Sequence, residues 1–378
     1  MRTISLSLAL LAATAAPGLS QDSTERLRSA LSGMPELLLT NPDPMQIFFL
    51  DVSAWRGLGD TENTAAALGR LPIASFIGAL EPFRTHGYEG WDEKAGVALD
   101  DIRYFAGFGS HPNTISYWGF EDHTGPEGLI AALAARDFVP TPGAADGVLG
   151  NGEPNAMNPA ARDASDPWRG TFGKTHFVMP LGSTVIQAPA PQTFEMLAAT
   201  EPSAAHQEVV QSALDGLSRT FGVDEGQIVQ AVVISPMFGL DGGDPAALLG
   251  APDLDAARAA VEAAMEESLK GIPPYLGGII ADTQFGKQPA VTVSLTYPDC
   301  AIAEVAIDAL KLRWTDNMAT KAEISGQSVA GSSDLCAAVV NFVGDAVEDQ
   351  ANPLLNETFN QYYSRQFNLL QIGLAGND

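Results

Sequence analysis

An α+β fold is what this sequence predicts, built as two tandem ferredoxin-like (split βαβ) sandwich units with extra helices. Three observations lead there. Short apolar or alternating runs bounded by Gly and Pro interchange with stretches of helical periodicity. The order strand, helix, strand, strand, helix, strand, helix is met twice along the chain. Finally, 378 residues at 46% hydrophobic and 17% charged supply enough chain for two ordinary domains and are too apolar for a disordered one.

Arg2, an apolar run over 4–16 and small residues at Ala13-Thr14-Ala15 and Gly18-Leu19-Ser20 have the pattern of a cleaved leader. Residues 1–20 are therefore expected to be a signal peptide. The run is shorter than the ~20 apolar residues of a spanning helix, and it has no Cys to carry a lipid anchor. The expected location is periplasmic or secreted. The mature chain divides into a first unit over 21–200, a second over 201–350 and a C-terminal amphipathic helix over 351–378.

In the first unit, Asp22 to Glu25 cap a helix reaching about Met34. After a turn at 41–44, residues 45–52 read as a buried strand. Leu68, Leu71 and Leu80 give 61–83 a helical side, with Pro72 as a break. Residues 102–108 and 114–120 are strands joined by a turn-rich connection, and 126–136 is a helix with Leu129, Ile130 and Leu133 inward. Strands at 175–179 and 183–188 and a short helix at 191–199 complete the unit. The second unit reads as a strand at 227–235 and a helix at 253–270, striped by Leu254, Ala257, Val261 and Leu269. Strands at 276–284 and 290–297, a helix at 298–312, a strand at 322–328 and a helix at 333–347 come next. Leu355, Phe359, Tyr363, Phe367 and Leu370 lie on one face of the final helix.

One segment breaks the repeat. The loop over 140–172 is far longer than the step at the matching point of the second unit. Loops beyond ~12–15 residues in compact domains are either functional or cover something. It is the local candidate for function, and a cover for an open sheet edge is the alternative.

Charge narrows the partners. Against 46 Asp plus Glu stand 20 Lys plus Arg, a net charge of −26. No basic footprint exists for nucleic acid, and no Lys or Arg cluster for anionic lipid. Stable membrane insertion is not expected, since no later stretch of spanning length lacks a charge or Pro. Such acidity suits solubility in a saline habitat, or a binding face for a cationic partner.

The motifs of catalysis are missing. Gly326-Gln327-Ser328-Val329-Ala330 lacks the last Gly of a nucleophile elbow, and no phosphate-binding Gly loop comes after a strand. His86, His111, His123, His176 and His206 show no metal-ligand spacing. Glu121 and Asp122 beside Trp118 resemble a sugar-binding corner, which core aromatics and a helix cap also explain. Asp146, Asn151 and Glu153 put oxygen ligands in a Gly-rich bend, a candidate calcium site, and Asp241 with Asp244 a weaker one; neither has the twelve-residue loop with its closing Glu. Cys300 and Cys336 are expected to form a disulfide in an oxidising compartment, worth about 3–4 kcal/mol in the chain-entropy account. Two buried free thiols are the alternative.

These observations lead to an exported, non-catalytic binding or scaffold protein whose partner is an unknown ligand or envelope protein. No cofactor is identified beyond possible sites for calcium. A hydrolase of unfamiliar type with its site near loop 140–172 is the alternative, and a calcium-stabilised structural protein another.

Overall fold

The apolar run near residue 47 shows how the sheet is made. In the computed structural model, which describes residues 19–40, 45–58, 69–87, 89–109, 113–198, 201–224, 226–240, 271–331, 334–347, 351–364 and 369–373, it forms β1 (Ile47–Asp51), buried along its whole length. Phe48 and Leu50 belong to one core, Ile47 and Phe49 to the other. A strand alternates its side chains, so two apolar faces demand cover on both sides.

That cover is helical. In chain order the elements are α1 (Leu19–Ser32), β1, α2 (Val52–Arg56), α3 (Glu81–His86), α4 (Trp91–Ala95), β2 (Ile102–Phe108), β3 (Ile115–Phe120) and α5 (Thr124–Ala134). Next come β4 (Val139–Pro140), β5 (Leu149–Gly150), β6 (Phe177–Leu181), β7 (Thr184–Ala188), α6 (Thr193–Leu197), α7 (Glu208–Asp224) and β8 (Gly226–Ile234). The remainder is β9 (Gly277–Phe285), β10 (Gln288–Tyr297), α8 (Cys300–Asn317), β11 (Glu323–Ala330), β12 (Cys336–Val343) and α9 (Pro353–Tyr363). One face packs on α2 to α5, α8 and α9, the other on α1, α6 and α7.

All the strands join one 12-stranded sheet, in the order β11-β12-β10-β9-β8-β1-β2-β3-β7-β6-β5-β4. Every ladder in it is antiparallel. The strand order corrects the ferredoxin-like expectation. A split βαβ unit inserts its third strand between the first and the second, antiparallel to both, so the first two are never neighbours. Here β1 has β2 on one edge, with Ile47 opposite Phe108, and β8 on the other, with Ile47 opposite Val233. No edge of β1 is left for β3.

Both halves nevertheless take one path. Outward from the β1/β8 seam, the first half runs β1-β2-β3-β7-β6 and the second β8-β9-β10-β12-β11. With β4 and β5 set aside, each places its own strands in the order first, second, third, fifth, fourth. A helix precedes the first strand (α1, α7), and another succeeds the third (α5, α8).

Several elements differ from expectation. In the described part of the helix expected over 61–83, two 3-10 turns (Ala74–Phe76 and Gly78–Leu80) lead into α3, and the C-terminal helix expected over 351–378 is helical over Pro353–Tyr363, with residues 369–373 outside it. Residues 333–347 are not a helix: Cys336 to Val343 form β12, nearly all buried. A run apolar but for Asn341, with adjacent Val339 and Val340, suits a strand covered on both faces. Helix α7 is not among the expected elements, yet Val210, Ala213, Leu214, Leu217 and Phe221 form its buried stripe. It lies on the polar positions of β10, where Ser294 Oγ donates to the Ala213 carbonyl (2.9 Å) and Thr296 Oγ1 to that of Val209 (2.8 Å). The alternating Val-Thr-Val-Ser-Leu-Thr of β10 thus reads like a half-wet strand but is covered on both sides. The expected helix at 253–270 and residues 1–18 of the expected signal peptide lie outside the described residues.

Candidate functional site

Hydrolytic chemistry needs a nucleophile held by a base that a third group orients. Two trios approach this. Ser203 Oγ lies 2.9 Å from His206 Nδ1, with Glu201 Oε2 at 3.7 Å from the same nitrogen. A triad engages both imidazole nitrogens; this one uses Nδ1 twice, and Ser203 is fully buried. In the loop, Ser165 Oγ meets both Lys94 and Asp163. Lys94 Nζ is 2.7 Å from Asp163, whose carboxyl the Lys94 and Ser165 hydrogen bonds pull down to about 2. Lys94 Nζ and the Ser165 hydroxyl both donate to the Asp163 carboxylate, a closed set of contacts with no base aimed outward. Both trios are braces.

The loop over 140–172 is a folded plug. Trp168 is fully buried, stacked on Trp118 at 4.6 Å with Trp91 beyond, and donates Nε1 to the Ala95 carbonyl (2.9 Å). Its neighbours are tied down by ion pairs: Arg136 to Asp166 (2.7 Å), Lys174 to Glu81 (3.3 Å) and Arg169 to Asp137. Gly173, at φ 66°, brings the backbone so close to Asn158 that a Cβ would sit 2.0 Å from its carbonyl oxygen. β5 then joins the outer side of β6 through Leu149 opposite Val178 and Gly150 opposite Phe177.

The calcium candidates are not gathered. Asn151 Oδ1 accepts from the His176 N–H (2.8 Å), while Asp146 and Glu153 are exposed on either side of β5. Among the described residues, no group of three or more His, Cys, Asp or Glu is placed to hold a metal. Asp241, Asp244 and His111 lie outside those residues. At the expected sugar corner, Trp118, Tyr117 and Phe120 are core. Glu121 pairs with Arg103 (2.5 Å), and Asp122 accepts from Thr124.

His176 carries a pH prediction. Its Nδ1–H donates to the Trp168 carbonyl (2.8 Å), and burial pushes its pKa down to about 4. Against ~6.5 in the unfolded chain, the unfolded state binds the extra proton between those values. The stability from a neutral His176 is complete above pH 6.5 and lost as pH falls to 4, by up to about 3 kcal/mol. Denaturant midpoints should fall across that window and fall less in His176→Gln. Equal slopes would remove His176 from the account.

The sheet's two ends are unlike. β4 has two residues and carries Pro140. β11 has eight, Glu-Ile-Ser-Gly-Gln-Ser-Val-Ala, with neither Lys nor Pro, and among the described residues no strand pairs with its outer side. Gly331 N–H donates to the Leu335 carbonyl (3.0 Å), continuing the register in which Ala330 faces Cys336. Antiparallel alternation then puts Val329, Gln327 and Ser325 in hydrogen-bonded pairs with β12. It turns the N–H and C=O of Ile324, Gly326, Ser328 and Ala330 outward. Long bare edges of this kind are what natural sheets avoid.

Helix α8 stands over this edge. A Cβ on Gly326 would lie 2.6 Å from Ile307 Cγ2, and Ser328 Oγ reaches Glu304 (3.4 Å). The Cys300–Cys336 disulfide fastens the start of α8 to the start of β12. Sequence reasoning finds this strand but not its place at the edge. The available signal is its polarity, the highest of any described strand.

Two clefts among the described residues are lined mainly by apolar side chains. One, of about 440 Å³, is lined by Pro273, Pro274, Ile302 and Val305; the Asp299 carboxylate beside it already accepts from the Ile302 N–H. The other, between α9 and the sheet, holds about 20 Å³, room for about one water. No described helix is long and apolar enough to cross a membrane.

No known protein family and no curated protein matches the chain. Among solved structures, crystal form I of TP0453 aligns at a TM-score of 0.34 and 10% identity, covering 85% of this chain and 94% of that one. Crystal form IV of TP0453 gives 0.31 and 11%, over 78% and 87%. Similarity of that size carries no argument, so the fold rests on the chain's own ladders.

Proposed function

We propose that this is an exported binding or scaffold protein that holds a partner polypeptide through the β11 edge. The observation that carries the reading is a strand with no partner on its outer side among the described residues, where four residues turn donors and acceptors outward at the end of the sheet. Strand addition uses such edges: backbone bonds give affinity and alternate side chains give specificity. The leader pattern over 1–20 supports a periplasmic or secreted location, where a disulfide between Cys300 and Cys336 persists.

The test is recovery of the tagged chain from its own host's envelope fraction. Ser328→Pro removes an outward N–H without touching the β12 ladder. A companion polypeptide should come with the native chain and not with this variant. Equal recovery by both overturns edge binding. Mass spectrometry of the same sample should show a cut after Ala15 or Ser20; an unprocessed cytosolic chain overturns export.

A further inference from the structure

We propose that the segment filling the β11 edge is extended and basic, belongs to another polypeptide, and runs antiparallel to β11 in the position that β5 takes on β6. The proposal rests on the edge reading above and names the partner's chemistry.

The protein contains its own template. β6 and β11 are equivalent, each the fourth strand of its half and each outermost but for what is added. In the first half the chain from α5 to β6 includes a long insertion, and that insertion lays β5 along the outer side of β6. In the second half, residues 318–322 take the chain directly from α8 to β11. Among the described residues the same edge is therefore closed from within on one side and open on the other. The open one is longer, eight residues against five.

Charge selects the occupant. Ile324, Gly326 and Ser328 present their side-chain positions to α8, where Glu304, Asp308 and Lys311 share one side at spacings of four and three. Lys311 is already spanned by Asp308 (3.5 Å), so two carboxylates stand against one ammonium. Glu323, at the strand's start, falls by alternation on the Gln327 side, with Lys321 two residues before it. On that side Gln327 donates to Thr220 (2.6 Å), and the facing positions Ser325 and Val329 are neutral. With screening over ~8 Å in physiological salt, this local set governs the contact. A partner strand is therefore expected to carry Lys or Arg at every second residue, on the α8 side. A second copy would instead set these carboxylates, and a net charge of −26, against their like.

The experiment uses the full processed chain and two labelled synthetic peptides. One alternates Lys with Thr and Val; the other has Glu in place of Lys. Anisotropy titration should give saturable binding of the Lys peptide, at least tenfold weaker for the Glu peptide. Glu304→Lys combined with Asp308→Lys should narrow that ratio at least fivefold. Ser328→Pro, or Ala330→Pro should the first fail to fold, should abolish binding at an unchanged melting temperature. Binding should also slow hydrogen exchange at Ile324, Gly326, Ser328 and Ala330. If both peptides bind equally and the Pro variants lose both, edge binding stands and the basic preference is overturned. If neither binds and exchange is unaltered, the edge reading falls as well. A concentration-dependent dimer that Ser328→Pro dissolves overturns the foreign partner in favour of a second copy.

Discussion

Asp282→Ala is expected to destabilise the protein by about 3–5 kcal/mol, the cost of breaking a buried ion pair by removing one partner. Asp282 and Arg70 are both fully buried, with Nη2 to Oδ1 at 2.7 Å and Nε to both carboxylate oxygens at 3.1 and 3.2 Å. The same carboxylate accepts from Gln230 Nε2 (3.0 Å) and Asn352 Nδ2 (2.7 Å). Four separated segments thus meet on one side chain: the chain before the helical turns at 74–80, strands β8 and β9, and the entry to α9. Alanine would take the carboxylate from a guanidinium in the core that also donates to Gln284 and the Thr283 carbonyl. Urea unfolding measures the loss. Arg70→Met combined with Asp282→Leu should recover part of it, since no charge is then stranded, though Gln230 and Asn352 still lose an acceptor. A single variant within about 1 kcal/mol of the native chain would show that the network contributes little.

Trp168→Ala should cost a comparable 3–5 kcal/mol, as large aromatic truncations in cores do. Its ring completes a stack with Trp118 and Trp91 and meets Phe138 edge-on at 5.7 Å. The loss has a local signature. Without the plug, the loop is left to its backbone bonds and to the ion pairs of Arg136, Arg169, Lys174 and Lys94, and partly exposed pairs contribute about 0–1 kcal/mol each. Limited proteolysis should then cut between residues 150 and 176 before the rest of the chain unfolds. Trp168→Phe should soften both effects. Cleavage at native rates would mean that the loop is held by its backbone, not its ring.

Much of the sheet is legible in the sequence because its strands announce themselves locally. Ile47 to Asp51, Ile102 to Phe108 and Gln288 to Tyr297 are apolar or alternating runs bounded by turn residues, and the structure sets them within a residue or two of expectation. Pairing is not legible, because nothing in β1 says that its second edge belongs to β8. Nor can Cys336 to Val343 be told from a helix by apolarity alone, since helices and doubly covered strands both tolerate a mostly apolar run. At the candidate site, side-chain motifs point away from what matters. Gly326 to Ala330 invite comparison with a nucleophile motif, whereas their relevance lies in the backbone and in being outermost. Asn151, a metal ligand by its residue type, holds the His176 backbone instead. Loop 140–172 stands out by length, and its use as a cover for β6 is the second of the two roles its length suggests.

The seam at β1 and β8 sets a timetable for the chain. β1 can meet β2 soon after both emerge, but its other edge waits for residues 230–233. At 5–20 residues per second that delay is roughly 10–40 s. During synthesis a strand that ends fully buried therefore stands half-paired, a nascent chain still loose enough to be threaded elsewhere. Once residue 234 arrives, the two halves can zip along one antiparallel seam, and neither has a finished edge there until the other appears.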